Sequence, residues 1–261
     1  MKGRETLKFN TSASAAACTV DDGSATLRIA ETFASRQGEG ILTGTPSFFI
    51  RTSGCNLRCW FCDTPYASWN PEGPHRSVDE LIEEARRARV AGSDEAISHV
   101  VLTGGEPLIA AGVVELSDRL RAGGFHVTIE TAGTVDVKIG CDLLSLSPKL
   151  SASTPAATEH PAWAKNHEKR RLPIDTMRRL IERAPAFQVK FVVDSPEEFG
   201  EIESVVESLA VEPSDVWIMP QGVRNEQLDA AGSWLRPWCQ SKGFHYCDRM
   251  QIRWYGNRRG T

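Results

Sequence analysis

A strand-like apolar run, Ser47–Thr52 (SFFIRT), leads directly into Gly54-Cys55-Asn-Leu-Arg-Cys59-Trp-Phe-Cys62-Asp63-Thr64, and this CxxxCxxC loop constrains the chain more than any other feature. Three thiolates at i, i+4 and i+7 can bind three corners of a [4Fe–4S] cube. A closed electron-transfer cluster needs a fourth cysteine, and none lies nearby, so one iron is left open for a further ligand. Two other readings compete. Zinc loops pair C-x₂-C units with a second Cys or His pair downstream, whereas here Cys239 and Cys247 stand eight apart and His75 lies thirteen residues beyond Cys62. Alternatively the three cysteines are structural and hold no metal. The remaining four of the seven cysteines, Cys18, Cys141, Cys239 and Cys247, are scattered and read as small buried hydrophobes. An odd count makes a poor disulfide framework and suits a reducing compartment.

The surroundings of the loop are those of an alternating β/α chain. Apolar runs at His99–Thr103, His126–Glu130, Leu143–Leu146, Phe187–Val193 and Val216–Met219 read as further buried strands. Helical stretches separate most of them. Ser77-Val-Asp-Glu80 is a capping box opening a helix to about Val90. Val113–Arg121, Ile174–Arg183 and Glu226–Gln240 have helical period, and Ser195-Pro-Glu-Glu198 supplies a cap, an N1 proline and first-turn acids for another. Residues 151–170 are polar and proline-punctuated and read as a loop or insertion. Phe244–Tyr255 is expected to hold a last strand. The fold class is therefore α/β: a partial TIM-like barrel of about six mostly parallel strands, short of the eight of a complete barrel. Residues 1–24 are expected to be a flexible N-terminal extension, and 25–261 a single domain. In such architectures ligand sites collect at the C-terminal ends of the strands. Thr103-Gly104-Gly105-Glu106-Pro107, Ser147-Pro148-Lys149 and Met219-Pro220-Gln221-Gly222 all lie there, although each is also compatible with loop punctuation.

Bulk properties narrow the classes of partner. A net charge of −4 with interspersed signs argues against nucleic-acid binding. No apolar run approaches bilayer-spanning length, and Met1–Asn10 lacks the apolar core of a secretory signal, so the expected compartment is the cytoplasm.

With Phe61 just before the last cysteine, the CxxxCxxC loop resembles that of the radical S-adenosylmethionine (SAM) superfamily, and the Gly104–Pro107 turn resembles its GGEP motif. The resemblance implies a cluster held by Cys55, Cys59 and Cys62, whose open iron binds SAM. Reductive cleavage of SAM gives a 5′-deoxyadenosyl radical that abstracts a substrate hydrogen. It further implies SAM contacts from Phe61, Asp63, Gly105, Glu106, Ser147, Lys149, Met219 and Gln221, with the Glu106 carboxylate receiving the methionine ammonium. Upstream, Glu31 to Gly40 ends in Arg36-Gln37-Gly38-Glu39-Gly40. Together with Arg51 and Asp63-Thr64 it resembles the 7-carboxy-7-deazaguanine synthase family, in ordered motifs from about Glu31 to Gln221. That family converts 6-carboxy-5,6,7,8-tetrahydropterin to 7-carboxy-7-deazaguanine with loss of ammonia. The resemblance implies pterin contacts from Arg36, Gln37, Gly38, Glu39, Arg51 and Thr103, a Mg²⁺ ligated by Thr64, a homodimer, and a reductant such as flavodoxin or ferredoxin. No side chain is required as a nucleophile. A guanidinium at Arg51 suits a substrate carboxylate, and Gln37 and Glu39 suit the polar edge of a pterin. The stretch Arg249–Gly256 is unlike the family's His-containing tail, and no substrate contact is assigned to it. A radical SAM activase acting on a protein partner would need an extended groove. A non-catalytic iron–sulfur or zinc module would need a fourth protein ligand.

Overall fold

The computed structural model describes residues 25–261; Cys18 and the expected flexible extension lie outside the described residues. Nine strands form one sheet in the order β3-β1-β2-β4-β5-β6-β7-β8-β9. The six parallel strands expected are β2 (Pro46–Thr52), β4 (His99–Gly104), β5 (His126–Thr131), β6 (Leu143–Leu146), β7 (Phe187–Val193) and β8 (Val216–Pro220). Three others extend them. β1 (Thr26–Arg36) runs antiparallel to β2 and also pairs β3 (His75–Ser77), while β9 (His245–Tyr246) adds parallel to β8.

Period-2 alternation divides each parallel strand between two environments. Phe48 and Ile50, Val100 and Leu102, Val127 and Ile129, Leu144 and Leu146, and Val189 and Phe191 face one way into the buried core. Helices cover that face with Leu81, Leu116, Leu120, Met177, Ile202 and Leu235. These belong to α1 (Val78–Arg87), α2 (Val113–Ala122), α4 (Ile174–Arg183), α5 (Phe199–Leu209) and α6 (Asn225–Lys242), with α3 (Pro161–Arg170) and α7 (Met250–Tyr255) completing the set. Each fully buried leucine, isoleucine or phenylalanine contributes about 2 kcal/mol. The intervening residues, Phe49 and Arg51, Thr103, Glu130, Ser145, Lys190 and Val192, line a cavity instead. The sheet is thus apolar on its helix face and polar on its concave face.

The local signals for α1 are realised: the Ser77 side chain accepts from Glu80 N–H and Glu80 returns a bond to Ser77 N–H. Two expectations change. Residues 161–170 are not loop but α3, started by Pro161 at its first position and ended by His167, Lys169 and Arg170. Its polarity concealed it, because only Ala164 and His167 are buried along its length. Within Phe244–Tyr255 only His245–Tyr246 pairs as strand, and Met250–Tyr255 coils into α7.

Candidate functional site

Backbone contacts join the cysteine loop to the glycine loop after β4. Gly54 N–H donates to Ala67 O (2.8 Å), Glu106 N–H to Gly54 O (2.9 Å) and Gly105 N–H to Thr52 O (3.2 Å). A Cβ at Gly105 would stand 2.1 Å from Gly54 O and 2.5 Å from Ala67 O, so only glycine permits this approach. The Trp69 indole N–H donates to Cys59 O at 3.0 Å.

Cys55, Cys59 and Cys62 are half-buried, free of disulfides, and share one wall of a cavity of about 520 Å³. Burial pushes the Cys55 thiol up to about 12 and the Cys59 thiol up to about 11. Neither would ionise at neutral pH unless a strongly positive centre bound there. Among the described residues, no three His, Cys, Asp or Glu are gathered closely enough for a single metal ion. Thiols spread around a common cavity suit a polynuclear iron–sulfur cluster, whose corners are farther apart than the ligands of one zinc. Ser68 Oγ lies 3.1 Å from Cys62 Sγ, an outer partner of the kind that tunes such sites.

Of the sequence-derived site residues, all but Glu106 line this cavity: Cys55, Cys59, Cys62, Thr64, Phe61, Asp63, Gly105, Ser147, Lys149, Met219, Gln221, Arg36, Gln37, Gly38, Glu39, Arg51 and Thr103. Glu106 is fully buried. Its carboxylate accepts from Thr131 Oγ1 (2.6 Å), Ala132 N–H (2.9 Å) and Leu108 N–H (3.1 Å). It staples the β4 loop to the end of β5. The cavity wall at this loop is formed by Gly104 and Gly105, with the Glu106 carboxylate engaged by protein donors behind them. Burial raises the Glu106 carboxyl above its ordinary range, against the pull of those donors. Lys149 Nζ, also at the cavity, donates to Ser147 O (3.0 Å) and Ser147 Oγ (2.6 Å).

The loop after β1 crosses toward β7. Gly40 adopts φ +75°, its N–H donates to Cys247 Sγ (3.0 Å), and Ile41 N–H donates to Gln188 Oε1 (2.8 Å). Gln37 is buried, with Nε2 donating to Ser47 Oγ at 3.0 Å. Glu39 accepts from Lys190, Arg249 and Gln251. Burial opposes its charge, but Lys190 and Arg249 outweigh it and hold the carboxyl down at about 2. Lys190 and Arg249 are themselves buried and held charged by these acids, Arg249 also by Asp63. Arg51 donates through Nε to Glu31 (2.7 Å), which also accepts from Tyr66 Oη (2.8 Å) and Arg259 Nε (3.0 Å). Gripped at Nε, Arg51 lines the cavity. Phe33 and Phe49 stack beside it, centroids 4.8 Å apart.

Lys190, Glu130, Arg249, Gln251, Glu31 and Tyr66 were not assigned from the sequence, yet all line the cavity. Lys190 had a signal: a charge two residues from Gln188 inside the otherwise apolar FQVKFVV run. The C-terminal stretch had none. Arg249, Gln251, Ile252 and residues 256–261, to which no contact was assigned, all border the cavity.

Comparison with known proteins yields the following. The Radical SAM superfamily profile matches residues 49–193. The chain is 63% identical over 235 residues to the 7-carboxy-7-deazaguanine synthase of Rhodopirellula baltica, covering 90% of this chain and 89% of that one. It is 43% identical over 241 residues to the 7-carboxy-7-deazaguanine synthase of Halobacterium salinarum, covering 88% and 91%. The crystal structure of QueE from Escherichia coli shares the fold, with a TM-score of 0.62 at 22% identity, covering 86% of this chain and 94% of that one.

Proposed function

Because the chain belongs to the 7-carboxy-7-deazaguanine synthase family of the radical SAM superfamily, we propose that it converts 6-carboxy-5,6,7,8-tetrahydropterin to 7-carboxy-7-deazaguanine with release of ammonia, a step toward queuosine and other deazapurines. One observation carries this reading: the cysteine wall and the Gln37–Gly40 loop face the same cavity, so a cluster and a small polar substrate can meet there. The cavity favours this over a protein-activating relative, which would need a groove for a chain.

Cys55, Cys59 and Cys62 hold a [4Fe–4S] cluster in this reading. When bound, the reduced cluster would supply an electron and SAM the carbon radical that takes a hydrogen atom from the substrate. Lys149 and Ser147 offer donors to the SAM carboxylate, Gly104 and Gly105 offer backbone to its ammonium, and Phe61, Asp63, Met219 and Gln221 complete its walls. Arg51, held at Nε by Glu31, lines the cavity and offers a pre-aligned guanidinium to the substrate carboxylate. Glu39, ionised at neutral pH, spends three acceptor sites on protein donors and retains one for a substrate N–H. Arg36, Gln37, Gly38 and Thr103 contribute the remaining polar edge. A cavity lined by hydrogen-bonding groups orients the ring and keeps bulk water from the radical. No side chain needs to act as nucleophile.

Thr64 is our candidate Mg²⁺ ligand. One hydroxyl is a partial shell, and the substrate carboxylate and water would supply the rest. We also propose one domain over residues 25–261, supported by the single sheet; a homodimer; a flavodoxin or ferredoxin as reductant; and a cytoplasmic location. No helix among the described residues is long and apolar enough to cross a membrane.

The test is an anaerobic assay of reconstituted, reduced protein with SAM, Mg²⁺ and 6-carboxytetrahydropterin, read by mass spectrometry. The expected product is 7-carboxy-7-deazaguanine. Production of 5′-deoxyadenosine alone would keep the superfamily chemistry and overturn the substrate.

A further inference from the structure

His167 in α3 is completely buried and has no part in the reading above. Its Nδ1 lies 3.1 Å from the backbone N of Arg58, inside the cysteine loop. A backbone N–H can only donate, so Nδ1 carries no proton. Its Nε2 lies 2.8 Å from Ser153 Oγ, whose own proton goes to Leu150 O at 2.6 Å. Nε2 therefore carries the ring proton and donates it to Ser153. The imidazole is neutral, with both nitrogens spent, one on the cysteine loop and one on the turn before α3.

Other contacts repeat this pattern. Trp60 N–H donates to Ser153 O (3.1 Å) and its indole N–H to Ala152 O (2.7 Å). The Arg58 guanidinium lies 4.0 Å over the Trp163 ring and donates to Cys55 O and Leu57 O (2.7 Å each). Arg170 reaches Asn56 O at 3.4 Å. Residues 56, 58 and 60, which lie between the cluster cysteines in sequence, are thus the ones tied to segment 152–170.

We propose that residues 151–170 form a clasp that holds the cysteine loop in cluster-binding shape, with His167 as its central positioning residue. Three cysteines in a loop of eight residues do not define one conformation by themselves. The clasp supplies the missing constraint by fixing the backbone between the ligands, and leaves the thiols facing the cavity. Outer contacts of this kind typically change metal affinity by about 10- to 100-fold when removed. The inference rests on the reading that the loop carries a cluster.

The test compares full-length parent, His167→Leu, His167→Gln and Trp163→Ala after identical anaerobic reconstitution. Bound iron and its rate of loss to a chelator are measured well below the unfolding temperature, with circular dichroism as the check on folding. Leucine keeps bulk but makes neither hydrogen bond; glutamine restores an acceptor and a donor. The expected result is that His167→Leu releases iron about tenfold faster or more, that His167→Gln recovers much of the parent's retention, and that Trp163→Ala, which only unstacks Arg58, falls between. If His167→Leu does not fold, Trp163→Ala decides: retention equal to the parent's overturns the clasp. A folded His167→Leu that keeps its iron as long as the parent overturns it too. A parent that takes up no iron overturns the cluster reading and the clasp with it.

Discussion

Glu39 sits among three buried charges, its one carboxylate balancing both Lys190 and Arg249 where neither is much exposed to water. Replacing it with glutamine leaves Lys190 only the more distant Glu130 and Arg249 only Asp63, a change that costs about 3 kcal/mol, and chemical denaturation of Glu39→Gln should show a loss of that order. The pH dependence has a definite sign. The folded carboxyl is held at about 2 against an ordinary 4.5, so its contribution is complete above 4.5 and fades as pH falls toward 2. Stability of the parent should therefore drop through that window more steeply than that of Glu39→Gln. Arg51 makes a second residue-scale prediction. Lysine keeps the charge but loses the fork that Glu31 orients. Arg51→Lys should raise the KM for the pterin about tenfold, the value of one good charge-assisted bond, and leave SAM affinity unchanged; an unchanged KM would place the substrate carboxylate elsewhere.

At the scale of elements, the cysteine loop is shaped from two sides. On one side Gly105 packs its backbone against Gly54 and Ala67 too closely for any side chain. Gly105→Ala must push the two loops apart, and backbone on both sides cannot yield as a flexible side chain would. Reconstituted Gly105→Ala should bind less than half of the parent's iron, measured by iron content per chain, while its helical circular dichroism stays intact, since β4 and α2 do not depend on this contact. On the other side stands α3, whose ten residues bury little apolar surface. A helix with so small a hydrophobic stripe must be retained by specific contacts, here His167, Trp163 and Arg170 against the loop. The cysteine spacing was legible from the sequence and so was the glycine turn. The helix was not, because periodicity reads apolar stripes and α3 has almost none.

At the scale of the molecule, the concave face of the sheet is polar and its two ends are bridged by segments far apart in the chain. The loop after β1 meets β7 through Glu39 and Lys190, 151 residues apart, and the C-terminal segment returns to β1 through Arg259 and Glu31, 228 residues apart. Arg259 also lies 4.0 Å over the Tyr66 ring and pairs with Glu72. It borders the cavity itself and also holds Glu31, the carboxylate that orients Arg51. Its pairs are half exposed, so their worth is about 1 kcal/mol. Arg259→Ala should raise the KM for the pterin about fivefold by that figure, with SAM binding and melting temperature nearly unchanged; a loss confined to melting temperature would make the segment a brace rather than part of the substrate wall.

The sequence alone determined the six parallel strands, the cysteine loop, the glycine turn at β4 and the Gln37–Gly40 run, because each is written in neighbours a few residues apart: alternation along a strand, ligand spacing along a loop, a cap before a helix. Only the tertiary structure decided that Glu106 staples the β4 loop to the end of β5, that Lys190 and Arg249 neutralise Glu39, that the C-terminal segment borders the site, and that a polar helix grips the cysteine loop. These are pairings of charge and hydrogen bond between residues tens to hundreds of positions apart. Nothing in local periodicity encodes a partner at that distance; it is set when the sheet curves and brings strand ends and returning segments to one face.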